Sequence, residues 1–140
     1  FRSKTELATA VAALGNPATP EQLAIVESKQ AAAIAALGDT DFVTRSRQHN
    51  AIWRDWMTAE CAALSNHGLK VIPSWANFLM ILFEGNCSAE AAYNGLMAEG
   101  YIVRWLPGQR LGSGLRITIG TEDENRGVMA ALRKILEAHA

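Results

Sequence analysis

The sequence predicts an α+β fold, a small and mostly antiparallel sheet packed with helices and preceded by an all-helical N-terminal segment. Before about residue 66, apolar residues recur at the spacing of helices, and the predicted helical stretches end at Gly or Pro. From Leu69 onward, four short apolar runs bounded by turn residues are interleaved with helical stretches. We therefore expect an N-terminal helical segment over residues 1–38 and a sheet-containing domain over residues 39–140.

Three helices are predicted ahead of the sheet. The first begins at the capping-box pattern Ser3–Glu6 and ends before Pro17, and the second begins at Thr19 and runs to Leu37. The third runs from about 42 to about 66. Phe42, His49, Trp53, Trp56, Ala63 and Leu64 form a stripe at helical spacing. Glu60 falls on the same stripe, so it is not purely apolar and we expect it to be only partly buried.

Four strands and two further helices complete the prediction. The run Phe78–Phe83 lacks alternation, which favours a central strand covered on both faces. A helix capped by Ser88 should bury Tyr93, Leu96 and Met97. A last helix, begun by the capping box at 121–124, should bury Val128, Leu132, Ile135 and Leu136. The predicted strands are Leu69–Ile72, Ala76–Phe83, Tyr101–Leu106 and Leu115–Ile119.

The composition limits the function classes. With 140 residues, 49% hydrophobic content and a net charge of −1, the chain can form one packed domain or part of a larger protein. The near-neutral charge argues against a nucleic-acid or membrane-surface binder. No apolar run is long enough to cross a bilayer and no signal-peptide pattern is present, so we expect a cytoplasmic protein.

Cys61 and Cys87 have no metal-ligand spacing and are expected to be reduced core thiols.

The candidate functional residues are two arginines in apolar strands, Arg104 and Arg116. An unpaired charge in such a strand is costly, and the planar guanidinium matches carboxylates and phosphates. If the strands are adjacent, the pair could form one anion site. The structural alternatives are an ion pair of Arg116 with Glu122 or Asp123, and a strand-end position for Arg104.

Other polar residues carry weaker signals. Asn77 and Ser74 stand at the entrance to the central strand, where they could orient a substrate or simply turn the chain. The three histidines have no partner at catalytic spacing, and the tryptophans are expected in the core or at a domain interface. The sequence contains no Gly-rich phosphate loop, metal cluster or nucleophile–base pair.

From about Gln30 to its end, the chain resembles the C-terminal small domain of the fold type I pyridoxal-phosphate-dependent aminotransferases, in their histidinol-phosphate branch. The matching stretches keep that family's order and approximate spacing over roughly four fifths of the chain. They are Gln30–Leu37, Pro73–Phe78, Gly100–Arg104 and Leu115–Glu122.

The resemblance implies roles for three residues. Arg116 matches the arginine that binds the substrate carboxylate and helps to hold the phosphate in the histidinol-phosphate branch. Arg104 matches a second arginine that contacts the phosphate. Asn77 matches a position near the junction of the small domain with the active site.

The resemblance also implies the cofactor and the partners. Pyridoxal phosphate would belong to the full-length enzyme, and none is expected on this chain alone, because the family's Schiff-base lysine and other cofactor ligands lie upstream. The expected function is that of the C-terminal domain of a transaminase of histidine biosynthesis, a homo-oligomer with a small-molecule amino-acid or phosphate substrate. The alternative is a stand-alone, non-catalytic relative that binds a small anion or a protein partner.

Overall fold

The computed structural model describes residues 19–140, and the predicted first helix lies outside them. Four α-helices and four strands follow in an order that confirms the α+β class. Short 3₁₀ turns occupy Ser65–His67 and Pro107–Gln109. The elements are α1 (Pro20–Gly38), α2 (Thr40–Ala63), β1 (Leu69–Ile72), β2 (Phe78–Phe83), α3 (Ala89–Ala98), β3 (Arg104–Leu106), β4 (Leu111–Thr118) and α4 (Glu122–Glu137).

The chain divides into two compact units, one ending at Thr44 and the other spanning Arg45–Ala140. In the first unit, α1 begins with a capping box in which the Thr19 hydroxyl accepts from the Gln22 amide and the Gln22 side chain accepts from the Thr19 amide. No residue of α1 is buried. The domain division predicted at residue 38 remains a prediction.

The second unit is built on a four-stranded sheet in the order β1-β2-β4-β3, in which all neighbouring strands are antiparallel. β3 and β4 form a hairpin, closed by a hydrogen bond of 2.8 Å from Trp105 Nε1 to the Gly112 carbonyl. At the tip, Arg110 adopts a left-handed φ of 59°. The strands with the two candidate arginines are therefore neighbours.

One face of this sheet forms the core of the second unit. Leu79 and Ile81 of β2 and Leu115 and Ile117 of β4 are buried, and the helices of the unit pack against them. The buried helical residues are Met57 and Cys61 from α2, Ala89, Ala92 and Leu96 from α3, and Val128, Met129, Ala131, Leu132 and Leu136 from α4.

Several predictions about burial were wrong. β2 is a central strand, but Phe78, Met80 and Leu82 are only half-buried, because the buried cluster lies on the other face. Met97 of α3, which was expected to face inward, is 46% exposed. Phe42 of α2 is 60% exposed, which is compatible with a stripe that is only partly buried. The buried residues of α2 are Met57 and Cys61, and the predicted stripe included neither of them.

Some predicted element boundaries also moved. The Tyr101 amide donates to the Leu96 carbonyl at 2.9 Å, so the backbone there still closes the end of α3. β3 begins three residues later, at Arg104. The partner strand β4 begins earlier than predicted, at Leu111, and an irregularity in register between Trp105 and Leu106 accommodates the extra residues.

Candidate anion-binding site

The structure places Arg104 and Arg116 directly opposite each other on β3 and β4. Side chains of directly opposed residues lie on one face, with Cβ atoms about 4.5–5.5 Å apart. Arg116 is half-buried and Arg104 is exposed. The condition stated in the sequence analysis, that the two strands be adjacent, is therefore met, and a shared anion site remains a prediction.

Arg116 has no anionic partner among the described residues. Its Nε atom is buried and makes no hydrogen bond. Its Cζ atom lies 5.2 Å from the centre of the Phe78 ring, and Met80 of β2 is its partner in register on the other side. The guanidinium is therefore held by aromatic and apolar contacts with its donors uncommitted.

The predicted structural alternative for Arg116 was an ion pair with Glu122 or Asp123. In the structure, Glu122 is engaged by Arg126, whose Nε atom donates to Glu122 Oε1 at 2.8 Å. Within residues 19–140, neither acid pairs with Arg116. The structural ion-pair explanation therefore finds no support.

The electrostatics of the pair favour an anion. Like charges directly opposite each other destabilise a sheet, and buried or half-buried guanidinium donors are costly when they are unpaired. A carboxylate or phosphate bridging the two side chains would supply acceptor oxygens and opposite charge together. The arrangement can therefore bind a small anion, and a doubly charged phosphate matches two cations best.

Asn77 lies at the same end of the sheet as the arginine pair. Its backbone carbonyl accepts from the Ile119 amide at 2.9 Å, and its side chain is exposed. Ser74 has the turn role, since its hydroxyl accepts from the Ala76 amide at 3.1 Å. Thus Asn77 is free to contact a ligand and Ser74 shapes the backbone before it.

Arg54 supports this segment and was missed by the sequence analysis. Its Nη1 atom donates to the Ala76 carbonyl at 3.2 Å, and its Cζ atom is 6.0 Å from the Trp75 ring centre. Trp75 itself is 94% exposed, so it does not lie in the core of the described residues, and its expected alternative position at a domain interface remains a prediction. Nothing local in the sequence links α2 to the entrance of β2.

A buried asparagine fixes the turn at the end of β4. Asn125 is 1% exposed; its Oδ1 accepts from the Gly120 amide at 2.9 Å and its Nδ2 donates to the Gly120 carbonyl at 3.0 Å. His49 Nε2 donates to the same carbonyl at 2.8 Å. The strand that carries Arg116 is therefore tied to α4 and α2 just beyond its end.

The α4 helix begins with the predicted capping box. The Thr121 hydroxyl accepts from the Glu124 amide, while the Glu124 carboxylate accepts from the amide and hydroxyl of Thr121 at 2.7 and 2.9 Å. These hydrogen bonds lower the pKa of Glu124, because they favour its ionised form. The carboxylate is thereby committed to the helix start.

A groove of about 460 Å³ opens beside the end of β4. Its lining includes Tyr101, Ile102, Thr118 and the carboxylate-bearing Glu124, and it includes no arginine or lysine. An acidic group without a cation does not favour an anion. The arginine pair is therefore the better candidate for binding an anion.

The described residues do not fit a site for the implied cofactor. A Schiff base requires a neutral amine in an enclosed site, but Lys29, Lys70 and Lys134 are exposed. Lys134 Nζ also pairs with Glu99 Oε1 at 2.7 Å, which raises the pKa of that amine. Between residues 19 and 140, no group of three potential metal ligands comes together either.

Comparison with known proteins identifies close relatives. The chain is 60% identical over 112 residues to histidinol-phosphate aminotransferase of Sphingopyxis alaskensis, covering 80% of this chain and 30% of that protein. It is 51% identical over 107 residues to the enzyme of the same name from Zymomonas mobilis, covering 76% and 29%. The structure matches histidinol-phosphate aminotransferase from Sinorhizobium meliloti, solved with pyridoxal-5′-phosphate, with a TM-score of 0.67 and 30% identity over 79% of this chain and 30% of that one.

The chain thus spans about three tenths of the length of the curated relatives it matches. No helix within the described residues is long and apolar enough to cross a membrane. The sequence model of the aminotransferase class I and II family matches residues 6–132, which is most of the chain. The chain therefore belongs to the class I and II aminotransferases.

Proposed function

We propose that this chain is the C-terminal small domain of a pyridoxal-phosphate-dependent aminotransferase of the histidinol-phosphate type, which acts in histidine biosynthesis. The observation that carries the proposal is the direct opposition of Arg104 and Arg116, with the Nε atom of Arg116 buried and without a partner. The names of the relatives over the matched region support the substrate branch.

In this proposal the two arginines bind the anionic groups of the substrate. Arg116, which is half-buried, binds the carboxylate of the amino- or keto-acid substrate and helps to hold the phosphate. Arg104, which is exposed, contacts the phosphate. Asn77 lies near the entrance of the site and orients the substrate. All three are on one end of one sheet, which supports a shared ligand.

Pyridoxal phosphate would be held by parts of the full-length protein other than the described residues, and we expect none on this chain alone. When bound, the cofactor stabilises negative charge that develops on the substrate. The contribution of this chain is to bind the anionic groups and to keep the substrate in one orientation, which lowers the entropic cost of reaction. We further propose that the full-length protein is a cytoplasmic homo-oligomer and does not bind nucleic acid.

The test is an assay of the full-length protein for amino-group transfer from histidinol phosphate to a 2-oxo acid. The proposal expects turnover with histidinol phosphate and a much larger KM for histidinol, which lacks the phosphate. A full-length protein that binds inorganic phosphate but transfers no amino group would favour the alternative of a non-catalytic anion-binding relative.

A further inference from the structure

We propose that Phe78 is a positioning residue for the anion site: its ring holds the guanidinium of Arg116 in place without neutralising it. The inference rests on the proposed function of Arg116 and goes beyond it, because it assigns the orientation of that arginine to an aromatic neighbour. Phe78 is not suggested to contact the substrate.

The geometry of the sheet brings the two side chains together. Phe78 opens β2 and pairs with Thr118, while Arg116 pairs with Met80. Phe78 and Arg116 are therefore diagonal neighbours on one face, a spacing that aromatic and long side chains can bridge. The Cζ atom of Arg116 lies 5.2 Å from the ring centre, within the range of a cation–π interaction.

The surroundings of Arg116 explain why such a contact matters. Its Nε atom is buried without a partner, Arg104 stands directly opposite, and no carboxylate among the described residues pairs with it. A carboxylate would occupy the guanidinium donors and compete with the substrate. A ring face attracts the charge and uses none of the donors, so the fork stays available.

Arg126 provides a contrast within the same chain. Its Cζ atom lies 5.3 Å from the Trp53 ring centre and 5.2 Å from that of Trp56, but its Nε atom is bonded to Glu122. Arg126 is thus stacked and also paired with an acid, as a structural arginine is. Arg116 has the stacking without the acid.

The experiment compares variants of the full-length enzyme by their KM for histidinol phosphate and their inhibition by inorganic phosphate. Phe78→Leu removes the π face and keeps an apolar side chain, so we expect the KM and the phosphate inhibition constant to rise about threefold to thirtyfold. Phe78→Tyr keeps the ring face and should restore both constants to within about twofold of wild type. Trp53→Leu is the matched control, because it removes a ring that stacks on Arg126 instead of Arg116. It should lower the melting temperature and leave the KM and the phosphate inhibition constant unchanged.

A double-substitution cycle separates positioning from general stability. If Phe78 acts through Arg116, Phe78→Leu should have little further effect in an Arg116→Lys background, because neighbours that act together are not additive. Additive effects, or equal losses in the Leu and Tyr variants, would overturn the inference. If Arg116→Lys alone leaves the KM and phosphate inhibition unchanged, the proposed function of Arg116 fails instead, so the two failures are distinguishable.

Discussion

Arg104 and Arg116 face each other across β3 and β4, two like charges in direct register on a sheet. Such an opposition is unfavourable unless something of opposite charge lies between the side chains. The Cζ atom of Arg116 lies over the Phe78 ring of β2, while Glu122 is paired with Arg126 and Glu124 accepts from Thr121. An anion between the two side chains would relieve this opposition, and this is the basis of the proposed binding role.

The first prediction concerns stabilisation by phosphate. Inorganic phosphate should raise the melting temperature of the purified chain more than chloride does at equal ionic strength, because it bridges the opposed arginines. Arg104→Gln should remove most of that increment. At low salt without phosphate, the same variant should melt at or slightly above the wild-type temperature, because the like-charge opposition is gone.

Arg47→Gln is the control for this experiment, because it removes one exposed cation from α2. It should leave the phosphate increment unchanged. An Arg104→Gln variant that keeps the full phosphate increment would show that the anion binds somewhere other than the arginine pair.

The second prediction concerns Gly127 in α4. An alanine usually stabilises a helix interior by roughly 0.5–1 kcal/mol relative to glycine. Here the added Cβ would meet the Tyr101 hydroxyl. Gly127→Ala should therefore lower the free energy of unfolding, measured by urea denaturation, in spite of the better helix propensity.

The Tyr101→Phe background checks the cause, because it removes the oxygen that the new Cβ would meet. The destabilisation by Gly127→Ala should be smaller in that background than in wild type. An unchanged or larger effect would mean that the close approach to Tyr101 is not what constrains residue 127.

The third prediction concerns acid pH and Glu124. The pKa of this carboxyl is lowered from its ordinary value of 4.5, mainly because the Thr121 amide donates to it. A lowered folded-state pKa means that Glu124 contributes stability above about pH 4.5, and that this contribution is lost as the pH falls through the lower folded-state value. Glu124→Gln keeps an acceptor for the capping box but cannot titrate.

Thermal melts between pH 6 and pH 3 test this prediction. The Gln variant should lose less melting temperature than wild type as the pH falls. Glu90→Gln, in the first turn of α3 where the cap is formed by Ser88 alone, serves as the control. Parallel pH profiles for wild type and Glu124→Gln would contradict the assignment.

The sequence was sufficient where the signals are local. The helix start at Thr19, with Pro20 at the first helical position, the capping box at Thr121 and the cap at Ser88 are short patterns with a fixed mechanism, and the structure has them at the predicted places. The arginines were found because a charge inside an apolar strand is unusual in itself.

The rest depends on contacts between distant parts of the chain. The opposition of Arg104 and Arg116 follows from the register of the hairpin, which a 3₁₀ turn and a register irregularity set. The stacking of Phe78 requires that β2 and β4 be neighbours. In the sequence Asn125 is an ordinary polar residue of a helix, and its role becomes clear only from its two hydrogen bonds to the Gly120 backbone.

The central claim, that Arg116 binds the substrate anion, is tested most directly by Arg116→Lys in the full-length enzyme. Lysine keeps the charge but loses the bidentate fork, so kcat/KM for histidinol phosphate should fall by an amount equivalent to about 2–5 kcal/mol while the melting temperature stays near that of wild type. A lowered melting temperature with nearly unchanged substrate kinetics would contradict the account and make Arg116 a structural residue.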